Sequence, residues 1–132
     1  MVGDQAMTEI AIGVGCRKGC PADAIETLVR QALSDASSST ALGLFTLIDK
    51  QDEAGLAEAA HRLGLGVTYL SRDALRDRAD DTATQSPGAE KQFGVPSVAE
   101  AAALAGAGPA SVLIVPRITQ DVATCAIARA AP

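Results

Sequence analysis

Apolar residues in this chain change period in a fixed order. Residues 9–14 form a short run, apolar and β-branched, that ends at glycines and reads as a buried strand. After the glycine turn, Ile25, Leu28, Val29, Ala32 and Leu33 recur at helical spacing, with Pro21 at the first helical position and Asp23 in the first turn. "SDASSST" then reads as a loop, and "ALGLFTLID" as a second buried strand ending at Asp49 and Lys50. Two buried strands joined through a helix do not make a hairpin. They make a crossover unit, whose strands run parallel.

The alternation continues to the end of the chain. In "DEAGLAEAAHRLG", Leu56, Ala60 and Leu63 share one side of a helix that Gly64 or Gly66 can stop, and Glu58, His61 and Arg62 point away from it. "VTYLS" reads as a third strand and "RDALRDRA" as a short charged helix. Residues 80–92 hold almost no large apolar side chains and predict a mobile loop or lid. Ser97, with Glu100 three residues on, has capping-box spacing for a helix with a thin apolar face of Val98, Ala101, Ala102 and Ala105. "SVLIVPRI" is a further continuous strand. "DVATCAIAR" alternates between two faces and predicts a half-buried edge strand, antiparallel to its predecessor across a short link. The expected architecture is a single three-layer α/β/α domain over residues 1–132, with a mixed, mainly parallel sheet.

Charge and length narrow the function. The longest apolar runs of the 132 residues, such as 41–48, are far shorter than a membrane span. Asp4 and Glu9 interrupt the opening stretch, so no export signal is expected there, and the predicted location is the cytoplasm. Three cysteines, an odd number, predict reduced thiols rather than a disulfide framework. A net charge of −5 and only Phe45, Tyr69 and Phe93 as aromatics argue against nucleic-acid binding. An anionic ligand therefore needs a local positive site.

"GVGCRKGCPADAIE", residues 13–26, offers one at the end of the first strand, where ligands of such sheets tend to sit. Gly13, Gly15 and Gly19 permit main-chain N–H groups to converge, the helix start adds partial positive charge, and Arg17 and Lys18 add two full charges. An anion at a helix start gains about 0.3–1 kcal/mol. Charged hydrogen bonds contribute about 1.5–3 kcal/mol each, so the side chains outweigh the dipole. Neither nucleotide motif fits: the third glycine falls one residue late for the dinucleotide fingerprint, and Lys18 precedes Gly19 where a P-loop needs the reverse order. A carboxylate or phosphate seat and a purely structural turn both remain open.

Three stretches in this order carry a family resemblance: "GVGCRKGCPADAIETLV", "TLIDKQDEAGLAEAAHRLG" and "FGVPSVAEAAALAGAG". They resemble the family formed by CobE and the C-terminal domain of CbiG, of cobalamin biosynthesis, over about residues 10–128. One departure lies in the loop before the last helix, where the usual Thr/Asn-Pro-Ser reads Thr84-Gln85-Ser86, followed by Pro87. CbiG proteins carry additional N-terminal regions and are associated with opening a lactone ring on a cobalt-precorrin. The resemblance therefore implies the stand-alone CobE type of the oxygen-dependent route.

The family and the charge pattern meet in one expectation. Corrin intermediates are flat, largely apolar macrocycles edged with carboxylates, so a binder needs an apolar shelf with a cationic rim. Arg17, Lys18, the N–H groups of the turn and Lys50 are the expected rim, and Ser97 at its helix start is a further anion site. Glu53 and Glu100, each near a helix start, either cap those helices or work as acid and base beside the ligand. Cys16 and Cys20 lack zinc-site spacing, and His61 on a polar helix side reads as solvated, so no metal and no cofactor are expected. Two functions stand: a protein that binds or carries a precorrin or corrin intermediate, and a hydrolase of CbiG type acting on a precorrin side chain. Contacts with other pathway enzymes, or self-association through the alanine-rich helices and the last strand, are a third possibility.

Overall fold

The computed structural model describes residues 8–36, 39–84, 97–120 and 122–131. Among the described residues, five strands are interleaved with four α-helices: β1 (Thr8–Cys16), α1 (Ala22–Asp35), β2 (Ser39–Leu47), α2 (Ala54–Leu63), β3 (Val67–Leu70), α3 (Arg72–Arg76), α4 (Val98–Ala107), β4 (Val112–Gln120) and β5 (Ala123–Arg129). Single 3-10 turns, Ile48–Lys50 and Ala79–Asp81, follow β2 and α3. The sheet order is β3-β2-β1-β5-β4. The pairs β1/β2 and β2/β3 are parallel, whereas β1/β5 and β5/β4 are antiparallel. Only β5 is reversed, so the carboxyl ends of the other four strands share one edge.

Helices cover both faces of this sheet. On one, α1 and α2 pack over a core that includes Ile10, Ile12, Val14, Ile25, Leu28, Val29, Leu44, Leu56 and Ile127. On the other, α4 lies across β1, β5 and β2, with Val98, Ala101 and Ala102 meeting Leu47 and Leu75. The period-based reading of α1 holds, with Pro21 as the cap before Ala22 and Ile25, Leu28, Val29 and Ala32 buried. α4 is richer in contacts than its thin predicted face, because all seven residues from Val98 to Leu104 are buried.

Gly13 explains how α4 comes so close. A Cβ built there would overlap the Ala99 carbonyl oxygen and stand 2.6 Å from the Ala103 nitrogen. The helix backbone thus rests directly on the strand, a contact that alanine-rich α4 and a bare β1 position make together. Gly15 lies two residues on, next to Thr124 and Val98. Both glycines belong to β1 and not to the turn after it, which corrects their placement from sequence.

The last strand also needs correction. β5 is not an edge: it lies between β1 and β4, with Ala123, Cys125, Ala126, Ile127 and Ala128 buried. Its alternation was of small residues against Ile and Cys rather than of polar against apolar. The edge is β4, and Pro116, which cannot donate to a ladder, is the sequence signal for it. β5 therefore presents no free strand edge of the kind expected to support self-association.

Of the stretch read as a mobile loop, residues 80–84 are ordered, and residues 85–92 fall outside the described residues.

Candidate functional site at the carboxyl edge of the sheet

β1 ends at Cys16, and the chain turns through Arg17, Lys18 and Gly19 before Pro21 opens α1. Gly19 has φ of 79°, the left-handed region that favours glycine, and nothing lies within 4 Å of a Cβ placed there. Arg17, Lys18 and Gly19 are exposed. The turn is therefore open to solvent, with both cations at its tip.

Its main-chain N–H groups are mostly spoken for. Arg17 N donates to Val122 O at 2.9 Å, which ties the turn to the β4–β5 hairpin, and Cys20 N donates to Arg17 O at 3.1 Å. Gly19 N donates to Glu53 Oε1 at 2.8 Å. The turn thus holds a carboxylate, supplied by the residue that precedes α2. The full side-chain charges of Arg17 and Lys18 remain directed outward, and no described residue forms an ion pair with either.

Lys50 closes the 3-10 turn after β2 and is half-buried. Its positive charge acts on the Cys16 thiol at the end of β1 and lowers its pKa. Burial is the larger effect, with Cys20 and Glu53 adding to it, and Cys16 is pushed up to about 11. A thiol so placed is protonated at neutral pH and is a poor nucleophile. His61 is exposed at the far end of α2, about 12 Å along the helix from Glu53, so the structure does not bring it to Cys16 or Cys20. Ile48, two residues before Lys50, leaves 43% of its surface exposed on the same edge.

The second candidate carboxylate has a different setting. Ser97 Oγ accepts from Glu100 N at 3.2 Å, as the capping-box spacing predicts. The Glu100 carboxylate, however, does not return to the Ser97 main chain. It is 0% exposed and accepts four hydrogen bonds, from Ala83 N (2.9 Å), Thr84 N (2.8 Å), Thr84 Oγ1 (2.8 Å) and Arg117 N (2.9 Å). Burial raises its pKa, but these donors together outweigh burial and hold the group below the usual carboxylate range. Glu100 binds α4 to the 83–84 segment and to β4.

Three polar residues that sequence reasoning missed complete the frame. Thr46 is fully buried and donates to Val14 O at 2.7 Å, fixing the ends of β1 and β2 together. Arg78 reaches the far end of α4, where its guanidinium donates to Leu104 O, Gly108 O, Ser111 Oγ and Ser111 O at 2.8–3.1 Å and ties the end of the helix to the turn that leads into β4. Arg117 contributes its main-chain N–H to Glu100. Of the three, only Arg117 had a local signal, since it follows a proline in a strand.

The arrangement is thus an α/β sheet whose carboxyl edge, the edge where sheets of this class commonly place ligands, carries an open basic turn, one half-buried lysine and an exposed apolar side chain. Comparison with known proteins makes this specific. Residues 10–128 match the family model described as cobalamin synthesis G C-terminus. The chain belongs to that family, and with it to cobalamin biosynthesis. It is 32% identical to protein CobE of Sinorhizobium sp over 121 residues, covering 90% of this chain and 79% of that protein. The crystal structure of a CobE, a protein from the cobalamin (vitamin B12) biosynthetic pathway, superposes with a TM-score of 0.86 at 32% identity, over 94% of this chain and 92% of the other. A match to cobalt-precorrin-5A hydrolase of Priestia megaterium is narrower: 37% identity over 68 residues, 50% of this chain and 18% of the hydrolase. No helix among the described residues is long and apolar enough to cross a membrane.

Proposed function

We propose that this protein binds a carboxylate-rich precorrin or corrin intermediate of cobalamin biosynthesis at the carboxyl edge of its sheet. The observation that carries the reading is the pair Arg17 and Lys18, both exposed and both without an ion pair among the described residues, on a turn fixed by Gly19, Val122 and Glu53. Such cations meet ligand carboxylates without first giving up internal partners. Lys50 adds a third charge, and exposed Ile48 supports an apolar contact with the macrocycle. Main-chain N–H groups play a smaller part than the sequence suggested, since Arg17 N, Gly19 N and Cys20 N are already bonded.

Binding is better supported than hydrolysis. Glu100 is spent on four internal donors, Glu53 on the Gly19 N–H, and Cys16 is held protonated by burial. The hydrolase likeness covers only half of this chain. In this reading Ser97 and Glu100 frame the site without touching the ligand. Absorbance titration with cobyrinic acid, a corrin with free carboxylates, tests it: the Arg17→Ala/Lys18→Ala variant is expected to bind more than about tenfold more weakly. Unchanged affinity overturns the rim, and conversion of a precorrin by substoichiometric protein, followed by mass, overturns the preference for binding.

A further inference from the structure

We propose that Arg117 is a further member of the cationic rim, aimed there by an irregularity in β4 that Glu100 holds in place; this rests on the carboxyl edge being the corrin site. β4 pairs with β5 with register breaks between Leu113 and Val115 and again between Val115 and Ile118. Leu113 packs on the α4 side, with Ala103, Leu104 and Ala128, whereas Val115 and Ile118 pack in the core on the α1 side. Residues 116 and 117 therefore span a break in the alternation. Pro116 has no N–H to give, and the Arg117 N–H leaves the ladder for Glu100 Oε2 at 2.9 Å. Bulges of this kind redirect side chains beside binding sites.

The register sets Arg117 three residues before the end of β4, on the strand two away from β1. Ile118 is opposite Cys125, which is opposite Val14, and Ala123 is opposite both Gln120 and Cys16. β4 thus ends on the same edge as β1, two strand spacings or about 10 Å away. The connecting hairpin holds the Arg17 N–H through Val122 O. Arg17 and Lys18 lie just past the end of β1 and Arg117 on the outer strand of that hairpin, a backbone separation of about 16 Å that long side chains reaching to two carboxylate arms of one macrocycle can span.

Arg117 is half-buried, and among the described residues no carboxylate pairs with its guanidinium. Arg30, Arg62, Arg72, Arg76 and Arg78 each meet one. A partly desolvated guanidinium without a counter-ion gains more from a bidentate carboxylate than a fully hydrated one does. Arg129 also lacks an ion pair among the described residues, but it lies opposite Ile10 and Val112, at the other edge of the sheet. It is the natural control for a lost positive charge.

Cobyrinic acid titrated into wild type, Arg117→Ala, Arg17→Ala/Lys18→Ala and Arg129→Ala at low and raised salt separates the cases. Arg117→Ala keeps the N–H that Glu100 needs, and Arg117→Gln keeps most of the stem as well. Both are expected to weaken binding about five- to tenfold and to flatten its salt dependence, with Arg129→Ala like wild type. If the two Arg117 variants bind like Arg129→Ala while the Arg17/Lys18 variant is impaired, Arg117 is no rim residue and the carboxyl-edge reading survives. If all variants bind like wild type, or wild type does not bind, the carboxyl-edge reading fails and this inference falls with it.

Discussion

Glu53 accepts a hydrogen bond from the Gly19 N–H at 2.8 Å across 34 residues of sequence, so the start of α2 and the turn after β1 are held by one carboxylate. That carboxylate anchors the turn and also places a negative charge next to the cations proposed to receive ligand carboxylates. Glu53→Gln keeps an acceptor oxygen for Gly19 and removes the charge. It is expected to bind cobyrinic acid about threefold more tightly by calorimetry, in line with the modest worth of exposed charges. Weaker binding by this variant would mean that the Glu53 charge itself serves the ligand.

Glu100 makes the fold acid-sensitive. Its carboxyl is held below the usual range in the folded protein, so the folded state binds its proton less readily than the unfolded chain does. Its contribution to stability is complete above the unfolded value of about 4.3 and is lost as pH falls through the lower folded value. Urea unfolding at pH 7 and below pH 4 should show a larger loss for wild type than for Glu100→Gln, in which Glu26 and Asp49 still keep lowered carboxyls of this kind. At pH 7 the Gln variant should be less stable by about 3 kcal/mol, because an amide nitrogen replaces an acceptor facing buried donors. Equal acid sensitivity in both proteins would contradict this.

Gly13 and Gly19 should respond differently to alanine. At Gly13 the new methyl meets the α4 backbone, which cannot move without lifting the helix from β1, and a loss of about 3 kcal/mol is expected. At Gly19 there is open space and only the positive φ is unfavourable, which costs about 1–2 kcal/mol. Urea midpoints at constant m-value decide between them. A larger loss at Gly19 would refute the close approach of α4.

The thiols should be slow. Burial pushes Cys16 up to about 11 and Cys125 up to about 12. In native protein at pH 8 both are expected to react with iodoacetamide at least about tenfold more slowly than in urea, since only the thiolate attacks. Fast alkylation of Cys16 in the folded state would reopen a nucleophilic role.

Much of the fold was legible because its signals are local. Ile25, Leu28, Val29 and Ala32 announce α1 by spacing alone, and Ser97 with Glu100 announces the start of α4. What escaped depends on partners distant in sequence. Gly13 looked like part of a ligand loop because its neighbour α4 begins 85 residues later. Glu100 fitted a capping box, yet its carboxylate is claimed by Thr84 and Arg117, whose approach only the tertiary fold sets. β5 looked like an edge because alanine hides under a helix as readily as it faces water. At the site, the charges of Arg17, Lys18 and Lys50 could be read directly, but not that Glu53 would take the Gly19 N–H or that the Arg117 N–H would go to Glu100.

Competition between charge and macrocycle is tested most directly by titrating the wild-type protein with cobyrinic acid and with cobinamide, a corrin whose carboxylates are amidated, across a range of salt. The account predicts saturable binding of the acid near one equivalent, weakening steadily as salt rises, and much weaker binding of the amide. Equal affinity for the two corrins, or affinity for the acid that salt leaves unchanged, would contradict it.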